Sequence, residues 1–406
     1  MQRPRGTRDY LAGAADLIRE IEATIREIFR LWGYSEVITP TFEYMEVLRQ
    51  GTGPESDEMI FRFFDREGNI LGLRSDATTP IARLAATRFN DENRILRLAY
   101  LTNIFRYVEP GMGREREFHQ AGVELIGSSS PKADAEVIQL AATVFEALGI
   151  TGYALDLGEV SFSLGILEDS GLSPREQRLI RGALLNKDFV TLKEILAAAH
   201  LPSETQEQLE ELLALRGGVE VISRAKELTK SSTSQAALEH LEAVCELLPD
   251  QVLERVRIDL GMLKDLEYYT GVVFEGYVAD IGYTVCSGGR YDRLIGRFGA
   301  DKPAVGFGFG LERLLELKAA TAEDQKQRVV VVDYNDPLRE RAQELAARLR
   351  EAGHTAVVSL NKTESKEAEL NVLVTADSRF EIRTKDQERT AISLDEVVDF
   401  VNELWG

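Results

Sequence analysis

Residues 103–127, NIFRYVEPGMGREREFHQAGVELIG, gather Arg106, Glu109, Arg114, Arg116, His119, Gln120 and Glu124 among strand-like apolar residues. Arg106 on a strand, a loop with Gly111 and Gly113, and then Arg114 and Arg116 suit a carboxylate or phosphate, which a guanidinium can grip with two parallel hydrogen bonds. A solvated charged hairpin would use the same residues. A second stretch, LRSDATTP at 73–80, offers the Asp76 carboxylate to an ammonium and adds the Thr78 hydroxyl. The plainer reading is a turn whose Asp and Thr cap the next segment of chain. In DLEYYTGVVFEGY at 265–277, Tyr268 and Tyr269 on a strand would face opposite sides, one lining a pocket and the other packing. In CSGGRYDRLIGRFG and AVGFGFGLERLLE, Gly288 and Gly289 allow close backbone approach. The run Gly306, Gly308, Gly310, ahead of a helix carrying Arg313, could admit a nucleotide to the backbone, although its spacing is not the dinucleotide fingerprint.

These groups need a frame to hold them. Residues 14–32 put Leu17, Ile18, Ile21, Ile25, Ile28 and Phe29 on one helical face, with Gly33 as the stop. YSEVITPTFEY reads as a strand ending at Pro40, and ILGLR (70–74) and RILRLAYL (94–101) alternate as strands do. PKADAEVIQLAATVFEALGI is a helix with Pro131 near its start and Gly149 past its end. Further strands are expected near 153–157, 255–260, 272–278 and 282–286. Strands in hairpin-like runs mixed with helices predict an α+β domain on an antiparallel sheet.

From 164 to 250 the pattern becomes helical throughout. Ser173, Pro174 and Glu176 form a capping box, and Ser203 with Gln206 repeats the device. A polar stretch, KAATAEDQKQ, reads as a linker into a small α/β domain: RVVVVDY, TAVVSL, NVLVTA and FEIRTK as strands, two helices between and after them. The expected division is 1–163 and 251–318 for the two parts of the sheet domain, 164–250 for a helical insertion, and 326–406 for the small domain.

Composition narrows the function classes. A net charge of −20 over 406 residues, with no Lys/Arg-rich stretch interleaved with aromatics, argues against a nucleic-acid partner. No apolar run approaches the roughly 20 residues needed to cross a membrane. The polar start MQRPRGTRDY does not read as a secretory signal. Cys245 and Cys286 lack a partner motif, which suits a reducing compartment, and with four scattered histidines they offer no zinc spacing. A cytoplasmic protein without a metal or other cofactor is expected.

In order, RGTRDYL, LRSDATTP, FRYVEPGMGREREFHQAGVELIG, LEYYTGVVFE, GGRYDRLIG and AVGFGFGLERLL resemble the motifs of histidyl-tRNA synthetase, a class II aminoacyl-tRNA synthetase. The resemblance covers about 1–318, includes a helical insertion at the same place, and extends less closely to an anticodon-binding-like tail. The departures point to a different function. Two residues after the motif-2 arginine, Arg106, the class II pattern has a glutamate that recognises ATP; here it is Val108, while Glu109 one position on would face the other side of a strand. The arginine of the pattern RGLDYY is Lys264 in KDLEYY, a cation without the planar fork. RPEGT has become RSDATT, with Asp76 one methylene shorter than glutamate. In the tail, NKTESKEAEL is too short to contain the helix that synthetases place between the second and third strands.

This profile resembles the family of regulatory subunits of the short-form ATP phosphoribosyltransferase, paralogues of histidyl-tRNA synthetase without aminoacylation activity. The resemblance implies a separate catalytic subunit as partner, a homodimer of this chain inside a hetero-octamer, a role in the first step of histidine biosynthesis, and feedback inhibition by histidine. It further implies that Asp76 and Glu124, with Thr78 nearby, meet the ammonium of histidine. Gln120 and Arg106 would meet its carboxylate, Lys264 would lie close by, and Tyr268 and Tyr269 would surround the imidazole. Arg114, Arg116 and Arg313 resemble phosphate-binding arginines of an ATP site. A divergent but active histidyl-tRNA synthetase is the alternative.

Overall fold

The computed structural model describes residues 2–405 apart from 53, 90–93, 112–113, 186–187, 200, 202, 264–267, 280, 300, 322–327, 362–367 and 376–378. The chain divides into two compact units, Met1–Ala322 and Glu323–Gly406.

The first unit is built on a nine-stranded sheet. Its order is Ser35–Glu36, Leu96–Phe105, Glu117–Ile126, Ala304–Gly310, Thr284–Arg290, Val272–Val278, Tyr153–Glu159, Val256–Asp259 and Arg216–Gly217. Pairing is antiparallel through the middle. It turns parallel where Ser35–Glu36 joins Leu98–Ala99 and where Tyr153–Glu159 joins Val256–Asp259, so the sheet is mixed rather than purely antiparallel.

Period-2 alternation sorts the central strands into two faces. On one face Ala121, Val123, Leu125, Val305, Phe307 and Phe309 pack into a core with the helices Ala12–Leu31 and Pro131–Ala147. The first helix buries Ile18, Ile21, Ile25, Ile28 and Phe29 there. Each such side chain contributes on the order of 1.5–3 kcal/mol by leaving water. On the opposite face Leu96, Leu98, Tyr100 and Ile126 pack with the helix Thr78–Arg88, and the same face carries Gln120, Glu124, Gly306 and Gly308.

The stretch read as one strand ending at Pro40 is split. Ser35–Glu36 belongs to the large sheet, and Phe42–Tyr44 belongs to a three-stranded sheet with Ile70–Leu73 and Arg62–Phe64. The break falls where the buried Arg74 side chain donates to the carbonyls of Thr39 (2.9 Å) and Pro40 (3.2 Å), bonds that a continuous ladder would not leave free.

Residues 160–253 carry the helices Val160–Asp169, Pro174–Leu185, Phe189–Ala198, Ser203–Glu211, Glu220–Leu228, Ser232–Leu247 and Asp250–Leu253. The region is not helical throughout, because Arg216–Gly217 pairs with Val256–Asp259 and extends the sheet edge. The capping box at Ser173 and Glu176 forms, with reciprocal bonds of 2.8 and 3.3 Å. Gln206 instead donates forward to Glu210. A buried ion pair ties this region to the sheet: Arg290 lies 2.6 Å from Asp134, which also meets the His240 ring at 2.9 Å.

The stretch read as a linker begins as helix, since Leu311–Thr321 runs through its first residues; 322–327 lie outside the described residues. The second unit has a five-stranded sheet, ordered Ala356–Val358, Val330–Tyr334, Leu370–Val374, Phe380–Thr384 and Glu388–Ala391, with helices Arg339–Glu351 and Leu394–Trp405. The last strand is one that period-2 reading misses, because ERTA carries a single buried residue, Ala391. Residues 362–367, on which the missing-helix argument rests, are outside the described residues.

Candidate functional site

Glycine at alternate positions of one strand opens the site. Gly306, Gly308 and Gly310 lie on the same face as Glu124 and Gln120 of the neighbouring strand. A Cβ at Gly306 would stand 1.9 Å from Glu124 Oε2, and one at Gly308 would stand 2.7 Å from Gln120 Nε2. The glycine run therefore makes room for the polar side chains of Glu124 and Gln120, and all three glycines line the cavity. The space above is a cavity of about 430 Å³, within the size range of small-molecule sites.

One end of the cavity is acidic and aromatic. Glu124 is buried, accepts a 2.7 Å bond from Thr78 Oγ1, and accepts a second from the Tyr291 hydroxyl. Burial pushes its carboxyl up to about 8 from an ordinary 4.5, against the lowering effect of those two donors. Asp76, also buried and raised by burial, accepts from Thr79 N at 2.6 Å and Thr79 Oγ1 at 3.0 Å. It thus ties down the first turn of the helix Thr78–Arg88 and also lines the cavity.

Tyr268 and Tyr269 line the same end, their ring centroids 4.7 Å apart. They do not sit on a strand, which begins only at Val272. Freed from period-2 alternation, both rings turn to one cavity. Tyr100 and Tyr291 complete the wall and were not singled out from sequence. The only signal for Tyr291 was its place in GGRYDRL.

The other end is cationic. Arg106 follows directly after the Leu96–Phe105 strand, not on it. Its Nε donates to Ser75 O at 2.7 Å, and its guanidinium lies 5.5 Å from the Phe118 ring. Arg114 and Arg313 line the cavity beside it. Arg313 donates to Thr284 O and stacks 5.2 Å over Tyr283. Arg116 is absent from this wall. It donates to Val108 O at 2.9 Å and lies 4.4 Å over Tyr107, fastening its own hairpin. Val108 forms part of the wall here, and its isopropyl group offers no hydrogen bond. Glu109 is 83% exposed and 4.0 Å from Arg116. Its backbone is not strand, so the parity argument does not apply to it. His119 does not line the cavity; Glu312, which does, accepts from its Nδ1 at 2.8 Å and from Tyr10 at 3.0 Å, and this partner raises the imidazole pKa. Lys264 lies outside the described residues. Among those residues no cluster of metal-ligating side chains is found, and no helix is long and apolar enough to cross a membrane.

A largely antiparallel sheet with a carboxylate- and tyrosine-lined cavity on one face, together with a match of residues 6–314 to the family model for histidyl-tRNA synthetase, defines a class II synthetase-like protein. A histidyl-tRNA synthetase from Nostoc sp. PCC 7120 has this fold at a TM-score of 0.80 with 22% identity, over 99% of each chain. The chain is 43% identical to the ATP phosphoribosyltransferase regulatory subunit of Moorella thermoacetica, over 79% of this chain and 83% of that protein. It is 36% identical to the regulatory subunit of Geobacter metallireducens, over 96% and 94%. A crystal structure from Bacillus halodurans C, described as an ATP phosphoribosyltransferase regulatory subunit/histidyl-tRNA synthetase, matches with a TM-score of 0.84 and 32% identity, over 92% of this chain and 97% of that one. The chain belongs to the family of ATP phosphoribosyltransferase regulatory subunits.

Proposed function

We propose that this protein is the non-catalytic, histidine-sensing subunit of a short-form ATP phosphoribosyltransferase, acting with a separate catalytic chain in the first step of histidine biosynthesis. The observation that carries the reading is the contrast between the two ends of one cavity. The end with Asp76, Glu124, Thr78, Tyr268 and Tyr269 is fully built, while the position expected to recognise ATP contributes Val108 to the wall.

Histidine fits the built end. The carboxylates of Asp76 and Glu124 accept from its N–H groups, the ammonium foremost, and the tyrosines enclose the ring. Arg106 and Gln120 take its carboxylate, with Lys264 as a further cation. Arg114 and Arg313 remain as a vestigial phosphate site, and Arg116 takes a structural part in the hairpin. The chain works in the cytoplasm without a cofactor or nucleic acid, as a homodimer within a hetero-octamer of four regulatory and four catalytic chains. The exposed aromatic residues around Phe42 and Tyr44 support self-association.

An active synthetase would need its ATP contacts. Removing one buried contact to a transition state typically costs about 10²–10³-fold in rate, and two positions, Val108 and Lys264, depart together. Histidine-dependent exchange of pyrophosphate into ATP is therefore expected to be undetectable. Exchange at the rate of an ordinary synthetase would overturn the regulatory reading.

A further inference from the structure

Ser75 stands on the cavity wall between Arg74 and Asp76, and none of the roles assigned to the cavity so far uses it. Its Oγ is buried and makes no hydrogen bond among the described residues. A buried hydroxyl without a partner is uncommon in folded chains and calls for an explanation.

Looseness is not the explanation, because the backbone on both sides is pinned. Arg74 donates through Nε to Asn103 O at 2.7 Å and through Nη1 to Thr39 O at 2.9 Å, and its own N–H donates to Thr41 O at 3.1 Å. On the other side the Asp76 carboxylate takes the Thr79 N–H at 2.6 Å. Ser75 O accepts from Arg106 Nε at 2.7 Å. The hydroxyl is thus held on the same residue that fixes the arginine assigned to the ligand carboxylate. Thr79, close by on the same turn, differs: its hydroxyl already donates to Asp76 at 3.0 Å. The synthetase motif that this stretch resembles has proline at the position of Ser75, so the hydroxyl is a departure from that motif.

We propose that the Ser75 hydroxyl is a ligand-contacting group that donates to the carboxylate of the amino acid held by Arg106. A serine hydroxyl turns about one staggered bond, so reaching a carboxylate needs no backbone movement. The inference rests on the reading of the cavity as a histidine site.

Calorimetry with two probes tests it: histidine, and histidinol, which has an alcohol in place of the carboxylate. Ser75→Ala removes one oxygen and leaves the pinned backbone alone. The expected result is a roughly ten-fold or greater rise in Kd for histidine, an unchanged Kd for histidinol, and a thermal midpoint equal to or above that of the parent protein. An unchanged histidine Kd in Ser75→Ala would overturn the proposal, and so would equal losses for both probes, which would make the hydroxyl a structural group. Glu124→Ala separates the two levels of the argument. If it abolishes histidine binding while Ser75→Ala leaves the histidine Kd unchanged, the pocket reading stands and the role of Ser75 falls. If the parent protein binds no histidine, both fall.

Discussion

Glu124 concentrates the chemistry of the site in one acid. Asp76, Tyr100, Tyr268, Tyr269 and Tyr291 surround it, and burial holds its pKa at about 8. The sign comes from linkage. An acid whose folded pKa is raised keeps its proton in the native protein between about 4.5 and 8, while the unfolded chain has released it, so this group makes the empty fold less stable as pH rises through that window. A bound cation favours the ionised carboxylate, so ligand entry expels the proton and histidine affinity climbs with pH up to about 8. Titrations at pH 7.5 in two buffers of different ionisation enthalpy should report release of up to one proton per histidine, and Glu124→Gln should abolish it. Buffer-independent heats in the parent protein would contradict this. The candidates Asp76, Thr78, Gln120 and Glu124 were legible in sequence because their motifs are compact. Tyr291 was not, because its bond to Glu124 joins positions 167 apart. Arg116 misled because charge and spacing do not say whether a guanidinium faces a cavity or the next ring.

At the scale of elements, the large sheet was legible wherever strands alternate cleanly, as in Leu96–Phe105 and Glu117–Ile126. It was less so where a tertiary bond decides. Nothing local in YSEVITPTFEY reports that Arg74, more than thirty residues later, will take the carbonyls of Thr39 and Pro40 and break the strand. The helix that overruns its expected end at 318 is a case of Lys, Ala and Ala continuing a helix that a polar composition suggested had stopped. The small sheet after the break bears the assembly prediction. Phe42 and Tyr44 share one face with Phe63 and stay exposed, Phe42 and Phe63 in edge contact at 5.9 Å. Phe42→Glu places a charge on that face, and light scattering should report a dimer for the parent protein and a shift toward monomer for the variant. A monomeric parent, alone and with the catalytic chain, would refute the proposed homodimer.

For the whole molecule, a synthetase-like cavity is joined to a regulatory role. Feedback of this kind needs histidine to bind one arrangement of the complex better than another, since equal affinity for both would shift nothing. A tenfold change in population needs only about 1.4 kcal/mol of differential binding, which one charged contact can supply. Membership of the regulatory family was legible in the erosion of particular residues, Val108 above all, more than in the fold, which a synthetase from Nostoc shares. The most direct measurement is phosphoribosyl transfer by the reconstituted complex, titrated with histidine, using the parent chain and Glu124→Ala side by side. If histidine acts from this cavity, the complex with the parent chain is inhibited by histidine, and the complex with Glu124→Ala stays active and needs at least roughly tenfold more histidine for the same inhibition. Equal inhibition of the two complexes would contradict this, because histidine would then act from somewhere other than this cavity.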